Sequence, residues 1–490
     1  MSLLNVSFTT GELLEVIEEL DPMRNDRYTI TDDLTAGKLY SDVFAEVLRY
    51  NTTLKLWMAY NGIIWVQDEG NAVAEKCAQR LSRMLSMYVT KTIPDEPKES
   101  EKRYRAFVNS LGDRHKRLKM IDDAKPWLSV QETDFDKDPD LLNCRNCIIN
   151  LRTMEQLPHD GKLLLSKVCN VTYDPGAKHT KWMSFIRGIM LDDQDKIDYL
   201  QRVLGYGLLG TNEEEKCFIF YGKSTRNGKS TLIETVSYML GDYAKALPPE
   251  ALAQKVRDSS RPNEEIARLR GVRFVHVSEP SKRMIFDVAL MKNLTGGDTQ
   301  TASFKYGHFF EYHPVYKIYM NTNYLPAVND DTIFSSDRVQ VLTFDKHFSR
   351  EEQDRQLKQS LRSARVLSAM LVWLLDGLQK YREKGVVPPQ SVIDATNDYR
   401  KDSDKFGKFY EECLVYSVGT NAKVKIVYEA YSKWCSDNGY GVEKKGEFIT
   451  DLKLRGMFSD TGTVCGRTER NVVKNYRLTN EALREIRPYV

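Results

Sequence analysis

The stretch FIFYGKSTRNGKSTLIETVSY, at residues 218–238, constrains the fold of this chain more than any other segment. Its apolar start is typical of a buried strand, and its end has the apolar spacing of a helix. Between them lie two glycines, Gly222 and Gly228, and the second is followed by the sequence KST. A strand, a glycine-containing loop and a helix in this order predict a phosphate-binding loop within an α/β domain.

The chemistry of such a loop accounts for its composition. Backbone N–H groups and the positive end of the helix attract phosphate, and glycine lets the backbone approach the anion closely. Lys229 would reach the β- and γ-phosphates, and the Ser230 hydroxyl would bind Mg²⁺. Five residues separate the two glycines, where the usual pattern has four, and a Gly/Ser-rich turn before a helix is the alternative. The predicted nucleotide-binding residues are Gly222, Asn227, Gly228, Lys229, Ser230 and Thr231.

An acidic residue ends a later predicted strand. The run GVRFVHVSEP, at residues 271–280, predicts a strand that ends in Glu279. Nucleotide hydrolysis needs a carboxylate near Mg²⁺ and the attacking water. Glu279 would serve both, because Ser278 stands where many such enzymes carry a second acid. A charged strand end without a catalytic role is the alternative.

Two further segments follow this strand. The sequence TASFKYGHFFEYHP predicts a hairpin with its turn at residues 305–308. The sequence VYKIYMNTNYLP predicts a strand that ends in Asn321, Thr322 and Asn323. An amide at such a strand end can hold the water that attacks the γ-phosphate.

The ordered set of motifs resembles a known family. GKST, the strand ending in Ser278-Glu279, LTGGDT with its hairpin, and MNTNYLP look like the motifs of a superfamily-3 helicase. The resemblance is to the helicase half of phage and plasmid primase-helicases. Residues 141–215 are similar to the region that precedes the motor in those proteins, and residues 110–350 carry most of the resemblance. Each motif is weak alone, whereas the ordered set is specific.

The resemblance implies a hexameric ring ATPase of the AAA+ type that uses ATP and Mg²⁺ and moves 3′ to 5′ along DNA. Lys229 and Ser230 would hold the phosphates and Mg²⁺, and Glu279 would be the acidic catalyst and a second metal ligand. Asn323 would be the amide sensor, with Asn321 as the second choice.

The resemblance also implies residues that act between subunits and on DNA. Arg338, in FSSDRVQVLTF, would reach the γ-phosphate of a neighbouring subunit, where its fixed charge offsets the charge of the transition state. A surface arginine before a strand is the alternative. Lys305 and His308, at the hairpin tip, would contact the DNA backbone in the central pore. Because Ser303 stands where relatives often carry an arginine, Lys292 is expected to share this task with Lys305.

The overall charge does not reveal a nucleic-acid partner, because 71 basic and 69 acidic residues leave a net charge of only +2. A DNA-binding role therefore requires basic groups that are concentrated locally, as lysines repeated around a pore would be. No apolar run approaches the roughly 20 residues that a membrane helix needs. The N-terminus also lacks the pattern of a secretory signal.

The eight cysteines are scattered, apart from Cys144 and Cys147. This C-x-x-C has neither a second pair nor nearby histidines, so ordinary reduced cysteines are favoured over a zinc site. Reduced cysteines predict a reducing, cytoplasmic compartment.

Length and the order of patterns predict an α/β multidomain protein built around an AAA+ P-loop core. The Asn61-Gly62 pair predicts a hairpin, residues 92–103 a linker, and the segment DDQDKIDYLQRVLGYGLLG an amphipathic helix. The predicted division is an N-terminal α+β domain at 1–109, a mixed pre-motor domain at 110–215, the core at 216–350, a helical lid at 351–394 and a winged-helix-like module at 395–490.

The C-terminal module carries a second candidate DNA surface. Its predicted β-wing, TVCGRTERNVVKNYRL, contains Arg467, Arg470 and Lys474, which could contact the phosphates of a duplex. A small packing domain with a solvated basic turn is an equally good interpretation.

The leading hypothesis is an ATP-dependent DNA helicase in the replication of a phage, plasmid or other mobile element. It would act as a homo-oligomer on single-stranded and forked DNA, with a replication-initiation or primase partner. Two alternatives are an ATPase that translocates on or remodels duplex DNA without unwinding it, and a non-motor initiator that uses ATP to assemble on an origin. Residues 1–110 are too few for a primase domain and show no convincing acid pair, so primer synthesis is not predicted.

Overall fold

The computed structural model describes residues 10–28, 31–254, 264–282, 284–303, 309–328 and 330–486. Across these residues the chain is a mixed α/β protein with several hydrophobic cores and a five-stranded parallel sheet. No helix in this described part is both long and apolar enough to cross a bilayer.

In the described part of the N-terminal region, five α-helices and two strands of a four-stranded sheet share one hydrophobic core, and the other two strands contribute to a smaller one. The elements are α1 (Thr10–Leu20), α2 (Asp33–Phe44), β1 (Leu48–Asn51), β2 (Leu56–Tyr60), β3 (Trp65–Gln67), α3 (Ala72–Thr92), α4 (Glu99–Ser110), α5 (Arg114–Ala124) and β4 (Ser129–Val130). The sheet order is β3-β2-β1-β4. The predicted hairpin at Asn61-Gly62 is confirmed, because β2 pairs antiparallel with β3 and Gly62 has a φ of +91°.

The predicted linker at residues 92–103 is shorter than expected. Helix α3 includes its first residue, and α4 begins at Glu99. The Glu101 side chain accepts a hydrogen bond from the backbone N–H of Lys98 at 2.7 Å, which satisfies a donor at the helix start. Only residues 93–98 therefore connect the two helices.

Residues 141–206 contain a small antiparallel sheet and two helices. The elements are β5 (Leu141–Asn143), β6 (Ile148–Asn150), β7 (Gln156–Leu157), α6 (Thr180–Met190) and α7 (Gln194–Tyr206). Helix α7 is the amphipathic helix that the sequence predicts. Ile197, Leu200 and Val203 lie on its buried face, each at most 3% exposed.

The strand before the phosphate loop lies in a five-stranded sheet in which all neighbouring strands are parallel. The elements of this region are β8 (Cys217–Tyr221), α8 (Lys229–Leu240), β9 (Ala244–Ala246), α9 (Glu264–Ala267), β10 (Phe274–Ser278), α10 (Val288–Thr295), β11 (Gln300–Ala302), β12 (Phe310–Tyr312), β13 (Lys317–Thr322), α11 (Thr332–Ser335) and β14 (Val339–Thr343). The sheet order is β14-β8-β13-β10-β9, and β11 and β12 form a separate antiparallel ribbon. Strand β13 thus lies between the loop strand and the strand that leads to Glu279.

The remaining elements form a helical segment and a C-terminal module. They are α12 (Leu357–Leu361), α13 (Ala364–Lys384), α14 (Gln390–Ser403), α15 (Lys405–Cys413), β15 (Leu414–Lys423), α16 (Val424–Asp437), α17 (Lys445–Leu454), β16 (Phe458–Val464), β17 (Arg467–Leu478) and α18 (Asn480–Ile486). The three strands pair antiparallel in the order β15-β17-β16. The predicted boundary at residue 395 falls inside α14, whose Tyr399 packs into a core of the parallel sheet. The division into domains stays a prediction.

Both faces of the parallel sheet are buried. Phe220 and Tyr319 join a core that includes residues of α7 and α13, whereas Ile219 and Ile318 join a core on the opposite face. Successive residues of a strand point to opposite faces, so each strand supplies both cores in turn. This explains why β8 and the centre of β13, residues 318–320, are apolar without alternation, as is typical of parallel sheets covered on both sides.

Two buried cations connect the loop after α7 to the amino edge of this sheet. Arg273, directly before β10, donates to the carbonyl of Leu208 at 2.6 Å. Lys317, the first residue of β13, donates to the carbonyls of Leu209 at 2.5 Å and Thr211 at 3.0 Å. Burial lowers the pKa of Lys317 well below its ordinary value. The backbone carbonyls compensate these cations for the loss of water.

Helices α7 and α13 approach closely at a pair of glycines. A Cβ on Gly205 would lie 2.4 Å from the backbone nitrogen of Leu378, and a Cβ on Gly377 would lie 2.2 Å from the backbone oxygen of Gln201. Neither helix has room for a methyl group at this crossing, so both positions require glycine.

We expect Gly205→Ala to lower the free energy of unfolding by about 1–3 kcal/mol, because the added methyl must push the two helix backbones apart. Gly188→Ala is the matched control. It lies within α6, and its Cβ would meet only Phe348 at 3.8 Å, so it should be neutral or stabilising by up to about 1 kcal/mol. Denaturant unfolding followed by circular dichroism measures both variants, and equal stabilities would contradict the close helix approach.

Candidate active site

The carboxyl ends of three parallel strands bring the predicted residues to one edge of the sheet. Strand β8 leads into the phosphate loop, β10 into Glu279 and β13 into Asn323. In register, Asn321 lies between Phe220 of β8 and Ser278 of β10. Sites in parallel α/β sheets form at this edge, because the segments that follow the strands meet there.

Gly222, the first glycine of the loop, has two side chains packed directly against its backbone. A Cβ on Gly222 would lie 2.1 Å from Asn227 Nδ2 and 2.8 Å from Lys229 Nζ. Asn227 is 3% exposed and donates to the Ser224 carbonyl at 2.7 Å, which braces the loop from within. Arg226 takes a left-handed φ of +59°, so the longer loop turns without a third glycine.

The second glycine is needed for both conformation and space. Gly228 has a φ of +88°, and an added Cβ would lie 2.3 Å from Ile189 Cγ2 of α6. Helix α8 begins at the next residue, so its first backbone N–H groups open toward the loop. This arrangement suits phosphate, which binds at helix N-termini.

Lys229 is a buried cation whose hydrogen-bond partners in the described residues are neutral. Its ammonium donates to Asn323 Oδ1 at 2.9 Å and to the Gly222 carbonyl at 3.5 Å. Burial lowers the pKa of Lys229 to about 8, and the Glu279 carboxylate acts in the opposite direction. A buried ammonium held by neutral oxygens is suited to receive an anionic ligand.

Asn321 contacts the next residue of the loop. Its Nδ2 donates to Ser230 Oγ at 2.9 Å, and its side chain is 3% exposed. The sequence favoured Asn323 over Asn321 as the sensor, but the structure brings both amides to the phosphate loop, one to Lys229 and one to Ser230. The two asparagines are separated by one residue, so both can be directed toward the same side of the strand end.

Glu279 lies directly beyond β10 with an uncommon backbone conformation. Its φ is +52°, and its N–H donates to the Asn321 carbonyl at 2.9 Å, which continues the pairing of β10 with β13. Glu279 and Ser278 are both exposed. The carboxylate is thus fixed at its backbone and open to solvent on the same edge as Lys229.

The segment after β14 covers the outer side of the loop. The backbone N–H of Phe348 donates to the Arg226 carbonyl at 3.0 Å, and His347 Nδ1 lies 2.9 Å from the Thr225 carbonyl. These contacts fix the part of the loop that has no glycine. No sequence pattern predicts these contacts, because the two segments are more than a hundred residues apart along the chain.

Three parts of the chain match described sequence families. Residues 37–191 match the family described as D5 N terminal like, residues 220–338 a family of unknown function (DUF5906), and residues 401–485 the family described as Poxvirus D5 protein-like. The second match contains the phosphate loop and the residues that lie opposite it.

The chain is also similar to viral proteins named as candidate helicases. It is 29% identical over 268 residues to L207/L206 of Acanthamoeba polyphaga mimivirus, a match of 51% of this chain and 28% of that protein. It is 27% identical over 294 residues to 022R of Frog virus 3 (isolate Goorha), a match of 56% of this chain and 30% of that protein. These matches confirm the resemblance to superfamily-3 primase-helicases that the sequence predicts.

A third relative extends the match further along the chain. V13 of the Sputnik virophage is 23% identical over 396 residues, which cover 77% of this chain and 46% of that protein. This chain therefore spans less than half the length of each of these three relatives.

Solved structures give a weaker comparison. The A-form apo structure of the NrS-1 C-terminal region is 12% identical, covers 87% of this chain and 85% of that chain, and has a TM-score of 0.48. Another apo structure of the NrS-1 C-terminal region is 10% identical, covers 90% and 99% of the two chains, and has the same score.

Arg338, which the resemblance places at a subunit interface, lies at the opposite edge of the sheet from the phosphate loop. It directly precedes β14, whereas the loop follows the parallel strand β8. A strand of this length spans roughly 16 Å, so the guanidinium cannot reach a phosphate held by its own loop. Within the subunit it donates to Glu215 and Thr295. No sequence pattern predicts these two partners, because only the fold brings them to Arg338.

The predicted DNA-binding hairpin is described in part. Its two strands, β11 and β12, pair antiparallel as expected. Lys305 and His308 lie outside the described residues. Lys292 lies in the last turn of α10, where its ammonium donates to the Thr332 hydroxyl of α11. Ser303, which stands where relatives often carry an arginine, is 1% exposed.

The candidate wing residues lie on the long strand β17. Arg467, Arg470 and Lys474 are all exposed. Strands β16 and β17 are joined by a tight turn at Cys465-Gly466, where both residues have positive φ. This is the strand-turn-strand that the sequence predicts, and its role in DNA binding stays a prediction.

Cys144 and Cys147 lie in the tight turn between β5 and β6, where the Cys144 N–H donates to the Cys147 carbonyl at 2.8 Å. All eight cysteines are free, and seven are buried. A hydrogen bond with Cys169 and burial raise the pKa of the Cys144 thiol well above its ordinary value. Within the described residues, no group of three or more His, Cys, Asp or Glu side chains is arranged to hold a metal ion.

We expect nucleotide binding to take up protons at about pH 8.5, because Lys229 is then largely neutral and a bound triphosphate raises its pKa. Its pKa without ligand is lowered to about 8 by burial. Calorimetric titration with MgATP in two buffers of different ionisation enthalpy gives the number of protons bound. Lys229→Arg is the control, since a guanidinium is charged throughout this range. Equal proton uptake by the variant and the wild type would show that Lys229 is not the group that titrates.

Proposed function

We propose that this chain is an ATP-dependent DNA helicase of the AAA+ superfamily-3 type, acting in viral or other mobile-element replication as a ring, with a hexamer expected. One observation carries the proposal: the parallel sheet places Lys229 and Ser230 of the loop against Asn323 and Asn321, with Glu279 on the same edge. The similarity to proteins named as candidate helicases supports the activity.

The strand order supports a hydrolase. Because β13 lies between β8 and β10, its asparagines stand between the phosphate loop and the acidic residue. In nucleotide hydrolysis the attacking water must lie between the γ-phosphate and the group that orients it. An amide inserted between loop and acid is in a position to hold that water.

The residues present fit ATP and Mg²⁺. The buried Lys229 ammonium lacks an anionic hydrogen-bond partner in the described residues and would bind the β- and γ-phosphates, while the Ser230 hydroxyl and the Glu279 carboxylate are oxygen donors of the kind Mg²⁺ prefers. Mg²⁺ would neutralise charge that develops on the phosphates. Glu279 would orient the attacking water and accept its proton, and Asn323 would exchange its bond to Lys229 for one to the γ-phosphate or the water.

A subunit interface completes the proposed site. Since Arg338 lies at the far edge of its own sheet, it can act only on the nucleotide of a neighbouring subunit. An arginine supplied by a partner offsets negative charge in the transition state of phosphoryl transfer. A ring is the closed arrangement in which every subunit both gives and receives this residue.

The proposed DNA contacts lie on the hairpin and the wing. Lys292, Lys305 and His308 would face the strand in the pore, and repetition around the ring would make the pore basic although each subunit is nearly neutral. Arg467, Arg470 and Lys474 would contact duplex phosphates ahead of the ring.

Strand separation on a forked duplex tests the proposal. With MgATP the purified chain should displace the labelled strand, and single-stranded DNA should raise its rate of ATP hydrolysis. Lys229→Ala is expected to reduce hydrolysis by at least about 100-fold, because the charge that stabilises the transition state is lost. Lys223→Ala, also in the loop but exposed, is the matched control and should retain activity.

Two other results would contradict this function. ATP hydrolysis and movement on DNA without a displaced strand would favour a duplex-remodelling ATPase. Sequence-specific binding with no DNA-stimulated hydrolysis would favour an initiator that uses ATP for assembly.

Mixing two inactive variants tests the role of Arg338 between subunits. Arg338→Ala and Lys229→Ala should each be inactive alone. When they are mixed before ring assembly, about one quarter of random interfaces combine an intact loop with an intact arginine, so ATP hydrolysis should recover to about that fraction of the wild-type rate. A mixture as inactive as its components would mean that Arg338 does not act across the interface.

A further inference from the structure

The candidate interface arginine is one of four charged residues in an alternating arrangement. Glu215 Oε2 lies 2.7 Å from Arg338 Nη2, and Lys216 Nζ lies 2.6 Å from Asp337 Oδ2. The Cys217 N–H donates to the Arg338 carbonyl at 2.7 Å. The segments that enter β8 and β14 are therefore joined by two adjacent ion pairs of opposite polarity and a backbone hydrogen bond.

The backbone on both sides of this contact is constrained. Glu215 has a φ of +53° and Asp337 a φ of +51°, conformations that side chains other than glycine adopt rarely. The left-handed residues occur only where surrounding contacts determine them. Here they direct Glu215 toward Arg338 and Asp337 toward Lys216.

The other end of the Arg338 guanidinium contacts the C-terminus of α10. Its Nη1 donates to Thr295 Oγ1 at 3.0 Å and to the Lys292 carbonyl at 3.3 Å. The Lys292 carbonyl also accepts the N–H of Gly296 at the end of α10, and a cation beside the partial negative charge of a helix C-terminus is favourable. Five residues after Thr295 the chain enters β11, the first strand of the proposed DNA-binding hairpin.

These contacts make Arg338 a connection between the entry to β8 and the end of α10. Its side chain is 19% exposed and that of Glu215 is 46% exposed, so an incoming anion can approach the pair from solvent. A γ-phosphate carries more charge than one carboxylate and competes for the same N–H donors. A guanidinium that turned to a neighbour's phosphate would give up Glu215 and the end of α10.

We propose that Glu215 is a positioning residue that holds Arg338 against α10 until a neighbouring subunit presents a triphosphate. The proposal rests on the function proposed above, in which Arg338 acts across the interface. While the interface is poorly formed, the ion pair with Glu215 keeps Arg338 from contacting the neighbouring nucleotide. Its replacement by phosphate releases the end of α10, and with it the base of the hairpin, in the same subunit.

The competing explanation is structural: Glu215 and Arg338 form a surface ion pair, and Arg338 caps α10. Exposed ion pairs contribute little to stability, so the two explanations differ in what Glu215→Gln does. Loss of a merely structural pair lowers stability slightly and leaves hydrolysis unchanged or reduced. Loss of a positioning residue frees Arg338 to reach the neighbouring nucleotide. The rate of ATP hydrolysis then rises under conditions in which a poorly formed interface limits it.

Glu215→Gln keeps the size of the side chain and removes its charge. Without DNA, the rate of ATP hydrolysis at saturating ATP should rise about 2- to 5-fold, the range expected for a partly exposed charged contact. With DNA the rate should match the wild type, so the stimulation by DNA falls by the same factor. Glu213→Gln is the matched control, because Glu213 is exposed and precedes the ion pair by two residues. Glu215→Asp, which restores the charge, should recover part of the stimulation.

The double variant Glu215→Gln with Arg338→Ala tests whether Glu215 acts through Arg338. It should be as inactive as Arg338→Ala alone, which is the non-additive result expected of coupled residues. Thr295→Val removes the other side chain that accepts from Arg338 and should raise the DNA-free rate in the same direction. This second variant decides the matter if Glu215→Gln does not fold.

An unchanged or lower DNA-free rate in folded Glu215→Gln would overturn the proposal, as would a raised rate that persists in the double variant. These outcomes leave the proposed function intact when wild-type hydrolysis depends on DNA and on Lys229. Failure of the function itself is distinct, because the wild type would then show no DNA-stimulated hydrolysis.

Discussion

Parallel hydrogen bonding among β8, β13 and β10 is the constraint on which the rest of the candidate site depends. Asn321 pairs with Phe220 on one side and Ser278 on the other, and this register brings the strand ends to the same level. Because side chains alternate between faces, a shift of one residue would move Tyr319 into the opposite core and direct the two asparagines away from the loop. The large apolar residues buried on both faces make that shift unfavourable. Core packing thereby fixes the position of polar groups that contribute little to the core themselves.

Two lysines of this sheet show how location decides the role of a charge. Lys317, at the amino edge, is fully buried and compensated by backbone carbonyls of the loop after α7. Lys229, at the carboxyl edge, is also buried, but its hydrogen-bond partners in the described chain are an amide oxygen and a carbonyl at the limit of bonding distance. The hydrogen bonds of Lys317 connect two parts of the fold. Lys229, in contrast, is a buried cation that an anionic ligand can neutralise. The same edge-to-edge separation keeps Arg338 away from its own phosphate loop. In the proposed ring, a neighbouring subunit would supply this residue.

Sequence patterns predicted the strands, loops and helices near the site better than they predicted the contacts between them. The strand, loop and helix around Gly222 and Gly228, the acidic strand end and the amphipathic helix α7 lie where local patterns place them, because strand and helix periodicity and glycine positions are local properties. The linker at residues 92–103 was predicted too long, since a capping contact between Lys98 and Glu101 starts α4 inside it. Asn321 was ranked below Asn323, because the sequence cannot show that the strand carrying both is inserted beside the loop. The contacts of Arg338 with Glu215 and Thr295 join three separate segments, and no spacing along the chain encodes them.

Local sequence patterns are sufficient to predict a candidate phosphate loop, an order of motifs that resembles a superfamily-3 helicase, and an α/β fold around them. These follow from short segments whose chemistry requires particular residues at particular spacings. Only the folded chain shows that β13 lies between the phosphate loop and Glu279. It also shows that Asn323 contacts Lys229, that Asn321 contacts Ser230, and that the Glu215 carboxylate pairs with Arg338. These contacts depend on strand order and on packing between segments that are distant in the sequence. They form only because burial of both faces of the sheet selects one strand order and one register.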